Sequence, residues 1–460
     1  MQKNKNLILT GFALFAMLFG AGNLIFPPVV GIETGKSWIT GATGFIITGA
    51  GLPLLGILAS SIGSDKNKFA SRVSILFDKF FNTALVLSIG PLLALPRTGA
   101  VSFEIIFSNY NRAVYKILFL GAFFLMTFLF SIKASEVVDK IGKILTPILI
   151  TMLIIIIAKG VMFPIGSINK VTESNPFRYG FVEGYQTMDA LAAIIFSGII
   201  VRSIREKRNL STKEEFSFLL KSSIIAVGAL SIVYGGLIYI GATSETLLMD
   251  KILSGPELLS YIVYSLLGDV GKIILVICVV GACLTTSIGL ATSTSEVLSS
   301  IFKVPYKVIL VITTLMSFVF SYFGVEVIIK ISIPVLVFLY PIAMVLIILN
   351  LFKNRIKNDY IYKGAVFGAG IVSFYEGLQA TNISFRFLEK ILNKFSITEY
   401  IIYYLIDFFS YIEKISFFKN FKKIYIKIQL TLSNYGFSWF LPSLICALIF
   451  MIIKRKKKLL

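Results

Sequence analysis

Uninterrupted apolar runs recur along the whole of this chain, separated by short charged stretches, and they leave little choice of architecture. A run of about 20 apolar residues spans the hydrocarbon core of a bilayer as a helix. Lipid offers no hydrogen-bond partner to the backbone, so a spanning segment is a helix or part of a closed barrel. Barrel strands alternate apolar and polar residues, and these runs do not. Twelve spans are read from the sequence, at 7–31, 39–60, 80–103, 117–131, 144–162, 185–201, 222–241, 271–295, 308–324, 331–351, 362–380 and 436–453. The expected fold class is an all-α polytopic membrane protein with 12 transmembrane helices. Residues 7–31 are too long an apolar run, with no small-residue cleavage site, for a signal peptide, and are read as a retained first helix.

Composition adds to this reading mainly by exclusion. The 460 residues are 56% hydrophobic and carry a formal net charge of +20, with a mean hydropathy of +0.86. Such a charge ordinarily raises nucleic acid as a partner. Here the basic residues gather in alternate loops, as at Lys66 to Arg72, Arg202 to Arg208 and Lys454 to Lys458. That alternation is an orientation signal, not a nucleic-acid face. It places both termini in the cytoplasm, with the bilayer as the chain's partner. There is no histidine, which removes histidine-based catalysis, zinc sites and proton relays together. No nucleophile or paired-carboxylate motif replaces them, so an enzyme is not expected. Cys278, Cys283 and Cys446 lie inside apolar runs and read as packing residues. The segment 381–435, rich in lysine and aromatic residues, reads either as interfacial helix or as variable loop.

Two spans are interrupted. The first contains Gly20-Ala21-Gly22-Asn23 and then Pro27-Pro28; the sixth opens Gly184-Tyr185-Gln186-Thr187-Met188-Asp189. Glycine and proline weaken a helix interior, and freed backbone at membrane depth is tolerated where it lines a cavity. Each interrupted span opens a block of five, and two blocks with odd span counts are inverted relative to one another. Matching interruptions in inverted blocks point to a transporter site; the alternative is ordinary kinked helices with close glycine packing. The expected organisation is therefore a first repeat at 1–165, a second at 180–352, and two further spans with the long loop at 360–460.

The eighth span carries Thr285-Thr286-Ser287. These hydroxyls either bond their own backbone or offer oxygens to a small dehydrated cation. Arg97 and Asp189 are charges at depth and hence functional candidates. Either they approach each other as a possible gate, or each snorkels separately to water.

Phe12 to Pro28 closely resembles the first helix of bacterial branched-chain amino acid symporters. So do Gly90-Pro91 through Thr98 with Ser102 to Glu104, Gly184 to Leu191, Ala282 to Gly289, and Pro334 to Pro341. That family resembles the wider group with the leucine-transporter five-plus-five fold, in which helices 1 and 6 are discontinuous. The resemblance implies import of leucine, isoleucine and valine, driven by sodium, by alternating access around a midplane site; a proton-coupled permease, or one of another substrate, is the alternative. It implies that amides near Ala21, Gly22 and Asn23 hold the substrate carboxylate, with Tyr185, Thr187 and Asp189 also at the substrate. The carbonyls of Ala16, Phe19 and Ala282 and the hydroxyls of Thr285 and Thr286 would hold sodium. Asn23 and Thr187 would serve a second cation site. No cofactor is implied beyond the coupling ion.

Overall fold

The structure is a computed structural model that describes residues 2–62, 69–107, 113–132, 134–168, 173–197, 212–244, 253–381 and 428–459. Every regular element among them is helical. Among the described residues, six helical stretches are long and apolar enough to cross a membrane: Ala21–Ser61, Ile75–Ile106, Ala113–Ser131, Lys213–Ser244, Gly255–Phe302 and Val325–Leu351. Shorter apolar helices run through Leu7–Leu18, Leu149–Met162, Tyr306–Ser321 and Phe440–Ile452.

In chain order the helices are α1 (Gln2–Leu18), α2 (Ala21–Thr34), α3 (Trp38–Ile46) and α4 (Leu52–Ser61). Then come α5 (Ile75–Leu87), α6 (Ala94–Ile106), α7 (Ala113–Ser131), α8 (Ala134–Met162) and α9 (Pro176–Glu183). They are followed by α10 (189–197), α11 (Thr212–Ser244), α12 (Gly255–Phe302), α13 (Tyr306–Ser321), α14 (Val325–Leu351), α15 (Asp359–Ala380) and α16 (Phe440–Leu459). Wider π turns join α3 to α4 and α5 to α6.

The chain divides into two units, Met1–Phe69 with Leu76–Ser332, and Ala70–Ile75 with Ile333–Leu460. In the first unit α2 lies along α11 and α3 along α9. Both pairs pack backbone against backbone, because glycine stands at the crossing. A Cβ built on Gly31 would stand 2.0 Å from the Ile238 carbonyl oxygen, and one on Gly241 2.1 Å from that of Pro28. A Cβ on Gly44 would stand 2.2 Å from the Phe177 oxygen, and one on Gly180 2.0 Å from that of Gly41. Small residues that admit such approach are the usual means of joining helices where lipid removes the hydrophobic driving force. Helix α12 packs on α6, α8, α2 and α13. It opens with a cap in which the Ser254 N–H donates to Glu257 Oε2 at 3.0 Å. It breaks at Gly268 (φ 63°, ψ −149°), a conformation that needs glycine.

In the second unit α15 and α16 pair closely. Here a Cβ on Gly364 or Gly368 would stand 2.3 or 2.4 Å from the carbonyl oxygens of Cys446 and Pro442. Arg72 is clamped in the same unit: its Nε donates to Asp359 Oδ1 at 2.6 Å and its Nη1 to the Ile356 carbonyl at 2.7 Å. Its guanidinium also lies 4.1 Å from the centre of the Tyr362 ring.

The expected spans fall on helices, with two differences. The sixth span does not begin at 185: α9 precedes it, starting from Pro176 with the Asn175 side chain accepting from the Arg178 N–H. Arg178 and Glu183 lower the hydropathy of this half-helix, so apolar run length does not detect it. In the first span the chain breaks at Phe19-Gly20, whereas Pro27 and Pro28 ride inside α2. Residues 198–201 of the expected sixth span, including Gly198, and residues 382–427 of the long loop lie outside the described residues.

Candidate functional site

The first break is held by one side chain. Gly20 is extended (φ −123°, ψ −166°) between α1 and α2, which leaves a helix end and a helix start without intrahelical partners. The Asn23 amide serves both. Its Oδ1 accepts from the Gly20 N–H at 3.2 Å, and its Nδ2 donates to the Leu18 carbonyl at 3.1 Å. The second break runs from a 3-10 turn, Gly184–Thr187, through Met188, which is left-handed at φ 62°. For a residue with a Cβ that conformation costs about 1–3 kcal/mol and marks functional turns. The Thr187 hydroxyl donates to the Gly184 carbonyl at 2.9 Å and accepts from the Asp189 N–H at 3.4 Å.

The two breaks meet. Asn23 Nδ2 donates to Asp189 Oδ2 at 2.5 Å, and Tyr234 of α11 completes a buried trio. Its hydroxyl contacts Asn23 Nδ2 and donates to Asp189 Oδ2 at 3.3 Å. Arg97, from α6, is 2% exposed. Its Nη1 donates to the Gln186 carbonyl at 2.6 Å and its Nη2 to that of Thr187 at 3.4 Å. From the sequence, Arg97 and Asp189 either approach each other at a gate or snorkel separately. The structure brings the two into one cluster, but the guanidinium bonds the turn's carbonyls while the carboxylate takes Asn23 and Tyr234. A 3-10 turn ending in a left-handed residue leaves carbonyls without helical donors, and a buried guanidinium is suited to meet them.

A cavity lies between the breaks. Its polar boundary includes Gly22, Asn23, Arg97, Thr187, Asp189 and Thr286; its apolar boundary includes Leu18, Ala192, Phe196 and Leu290. Ala21 borders it as well. Tyr185 does not: it sits one turn after Phe181 and packs edge-on against that ring at 5.5 Å, since residues four apart share a helix face.

Of the expected cation ligands, Thr286 and Phe19 are brought together, the Thr286 hydroxyl donating to the Phe19 carbonyl at 3.1 Å. Thr285 bonds the Ala282 carbonyl on its own helix at 2.8 Å, and Ala16 lies in the last turn of α1. Tyr234, Gln186, Phe196 and Leu290 were not found from sequence. Tyrosine, phenylalanine and leucine inside apolar runs look like packing residues there.

Two discontinuous helices facing one another across a small cavity, among described residues whose regular elements are all helical, with six helical stretches long and apolar enough to cross a membrane, mark a multi-pass membrane protein of leucine-transporter-like fold. The chain is similar in structure to Mhp1, a nucleobase-cation-symport-1 family transporter, at a TM-score of 0.55 and 15% identity, over 85% of this chain and 93% of that one. This chain belongs to the branched-chain amino acid transport protein family, whose description matches residues 3–409. It is 39% identical over 402 residues to the branched-chain amino acid permease BraB of Bacillus subtilis, covering 85% of this chain and 89% of that one. It is 38% identical over 400 residues to the permease BrnQ of the same organism, covering 84% and 90%.

Proposed function

We propose that this chain is a secondary active symporter that imports leucine, isoleucine and valine with sodium, by alternating access, across a bacterial cytoplasmic membrane. The substrate class follows the names of its relatives, BraB and BrnQ. The observation that carries the sodium reading is the bond from Thr286 to the Phe19 carbonyl. It brings a neutral hydroxyl of α12 to freed backbone at the first break, and hydroxyl and carbonyl oxygens suit a small hard cation. Ala16, Ala282 and Thr285 complete the set, and Asn23 with Thr187 forms a second cation position. The substrate carboxylate sits on the amides of Ala21, Gly22 and Asn23, with Thr187 and Asp189 also at the substrate and the aliphatic chain against Phe196 and Leu290. Arg97 acts as the gate, closing on the second break through its carbonyls.

Twelve crossings in a five-plus-five inverted repeat, with both termini in the cytoplasm, complete the reading. The packing supports the repeat: exchanging spans one and two for spans six and seven turns the α9–α3 packing into the α1–α11 packing, and glycine stands at both, Gly180 against α3 and Gly11 against α11. Coupling is linkage. If sodium organises the first break and α12 into the substrate-competent form, each ligand raises the other's affinity by the same factor. A membrane potential adds roughly 2.3 kcal/mol per charge per 100 mV.

A second reading, proton coupling, is favoured by one observation: the Asp189 carboxylate, 5% exposed, lies at the junction of the two breaks. Uptake of labelled leucine into proteoliposomes separates the two. Uptake that needs inward sodium, is competed by isoleucine and valine, and falls in Thr286→Ala supports sodium coupling. Full uptake on a proton gradient alone overturns it.

A further inference from the structure

Backbone amides and a guanidinium meet at the border of the cavity. The first-turn amides of Ala21 and Gly22 open α2 there, without intrahelical acceptors, and a helix N-terminus carries positive partial charge. Arg97 adds a full positive charge at the same end. The approach is close: a Cβ at position 22 would stand 2.8 Å from Arg97 Nη2 and 3.3 Å from its Cζ. Glycine at 22 is therefore what lets the guanidinium lie against the first turn of α2. The Phe26 ring, 5.3 Å from Cζ, flanks it, and the bonds to Gln186 and Thr187 fix its plane. Asp189, which borders the same cavity, is held by Asn23 of this first turn and by Tyr234. A guanidinium fixed in this way and facing a cavity is suited to a planar carboxylate, which it meets with charge-assisted hydrogen bonds.

We propose that Arg97 is a binding residue for the substrate's carboxylate, sharing it with the amides of Ala21 and Gly22, and that it sets the preference for amino acids over their uncharged-carboxyl analogues. This rests on the reading of the cavity as an amino acid site. Its consequence is a charge rule for ligands. L-leucine carries the carboxylate; L-leucinamide has the same side chain and ammonium but no anion, and its net positive charge is repelled by Arg97.

The test measures the inhibition constants of L-leucine and L-leucinamide against labelled leucine uptake, in wild type, Arg97→Gln and Arg97→Lys. In wild type, leucine is expected to bind about 100-fold more tightly than leucinamide, the scale of a charged hydrogen-bonded pair. In Arg97→Gln, leucine weakens while leucinamide binds more tightly, so the two converge to within a few-fold. A residue that only holds the turn would weaken both alike, and an unchanged ratio overturns the proposal. Should Arg97→Gln not reach the membrane, Arg97→Lys decides: it keeps the charge but not the planar fork, and the ratio is expected to fall several-fold. An unchanged ratio in that variant overturns the proposal equally. Wild-type protein that takes up no branched-chain amino acid would instead overturn the transport reading on which the proposal rests.

Discussion

Thr286 donates its hydroxyl to the carbonyl of Phe19 across 3.1 Å, so the middle of α12 is fastened to the first residue beyond the end of α1. The bond spans two helices and meets a carbonyl released by the Gly20 break.

Replacing that hydroxyl is expected to act on sodium more than on leucine. Thr286→Ala should raise the sodium concentration for half-maximal uptake about 10-fold, equivalent to about 1.4 kcal/mol, while Thr286→Ser stays near wild type. Sodium titration of leucine uptake measures this. Equal sodium dependence in all three proteins would remove Thr286 from the cation site.

Tyr234→Phe deletes a hydroxyl from a buried carboxylate and leaves the ring packing against Phe45, which it meets at 5.1 Å. The lost bond at Asp189 is expected to cost about 1–3 kcal/mol. It would be seen as a lower midpoint in thermal unfolding of the purified protein, together with slower leucine uptake. An unchanged midpoint would show that the trio contributes little to holding the breaks together.

The glycine seam between α2 and α11 gives a sharper contrast. Gly241→Ala forces a methyl against the Pro28 carbonyl oxygen at 2.1 Å, and overpacking of this kind costs about 1–3 kcal/mol or more. Gly121, inside α7, has nothing within 4 Å of the same position. Gly121→Ala is expected to be neutral or stabilising by up to about 1 kcal/mol, because alanine favours helix. Similar unfolding midpoints for the two variants would contradict the backbone contact.

At Arg72 the partners are unequal. Asp359 is 56% exposed in its side chain, and an ion pair to such a group is worth about 0–1 kcal/mol. Asp359→Asn should therefore lower the unfolding midpoint slightly, and less so at high salt. Arg72→Ala should cost more, since it also loses the Ile356 carbonyl bond and the Tyr362 ring. Equal effects from both would mean that the ion pair alone matters.

The first break was legible because Gly20-Ala21-Gly22-Asn23 is an improbable sequence inside an apolar run, and Asn23 proved to be the residue that satisfies it. The second break was only half legible. Its turn showed in Gly184 to Asp189, but the half-helix before it carries Arg178 and Glu183 and so lacks the apolar signature used to find spans. Arg97 and Asp189 were visible as charges at depth; their partners were not. The carbonyls of Gln186 and Thr187 became acceptors only through the turn's geometry, and Tyr234 comes from an otherwise ordinary helix. The apolar wall at Phe196 and Leu290 was hidden for the same reason: periodicity cannot tell a residue that lines a cavity from one that fills a core.

The glycine crossings also bear on how a chain like this can drift over generations. No residue is smaller than glycine, so any substitution at Gly31, Gly44, Gly180 or Gly241 adds at least a Cβ, and each would arrive within 2.2 Å of a carbonyl oxygen of the facing helix. Such positions have no neutral neighbours in sequence space. Exposed apolar positions such as Ile232, at 71%, have many, because one greasy side chain serves there as well as another. Divergence is therefore expected to run over the outer surface, with the seams on which α2 and α9 rest held fixed.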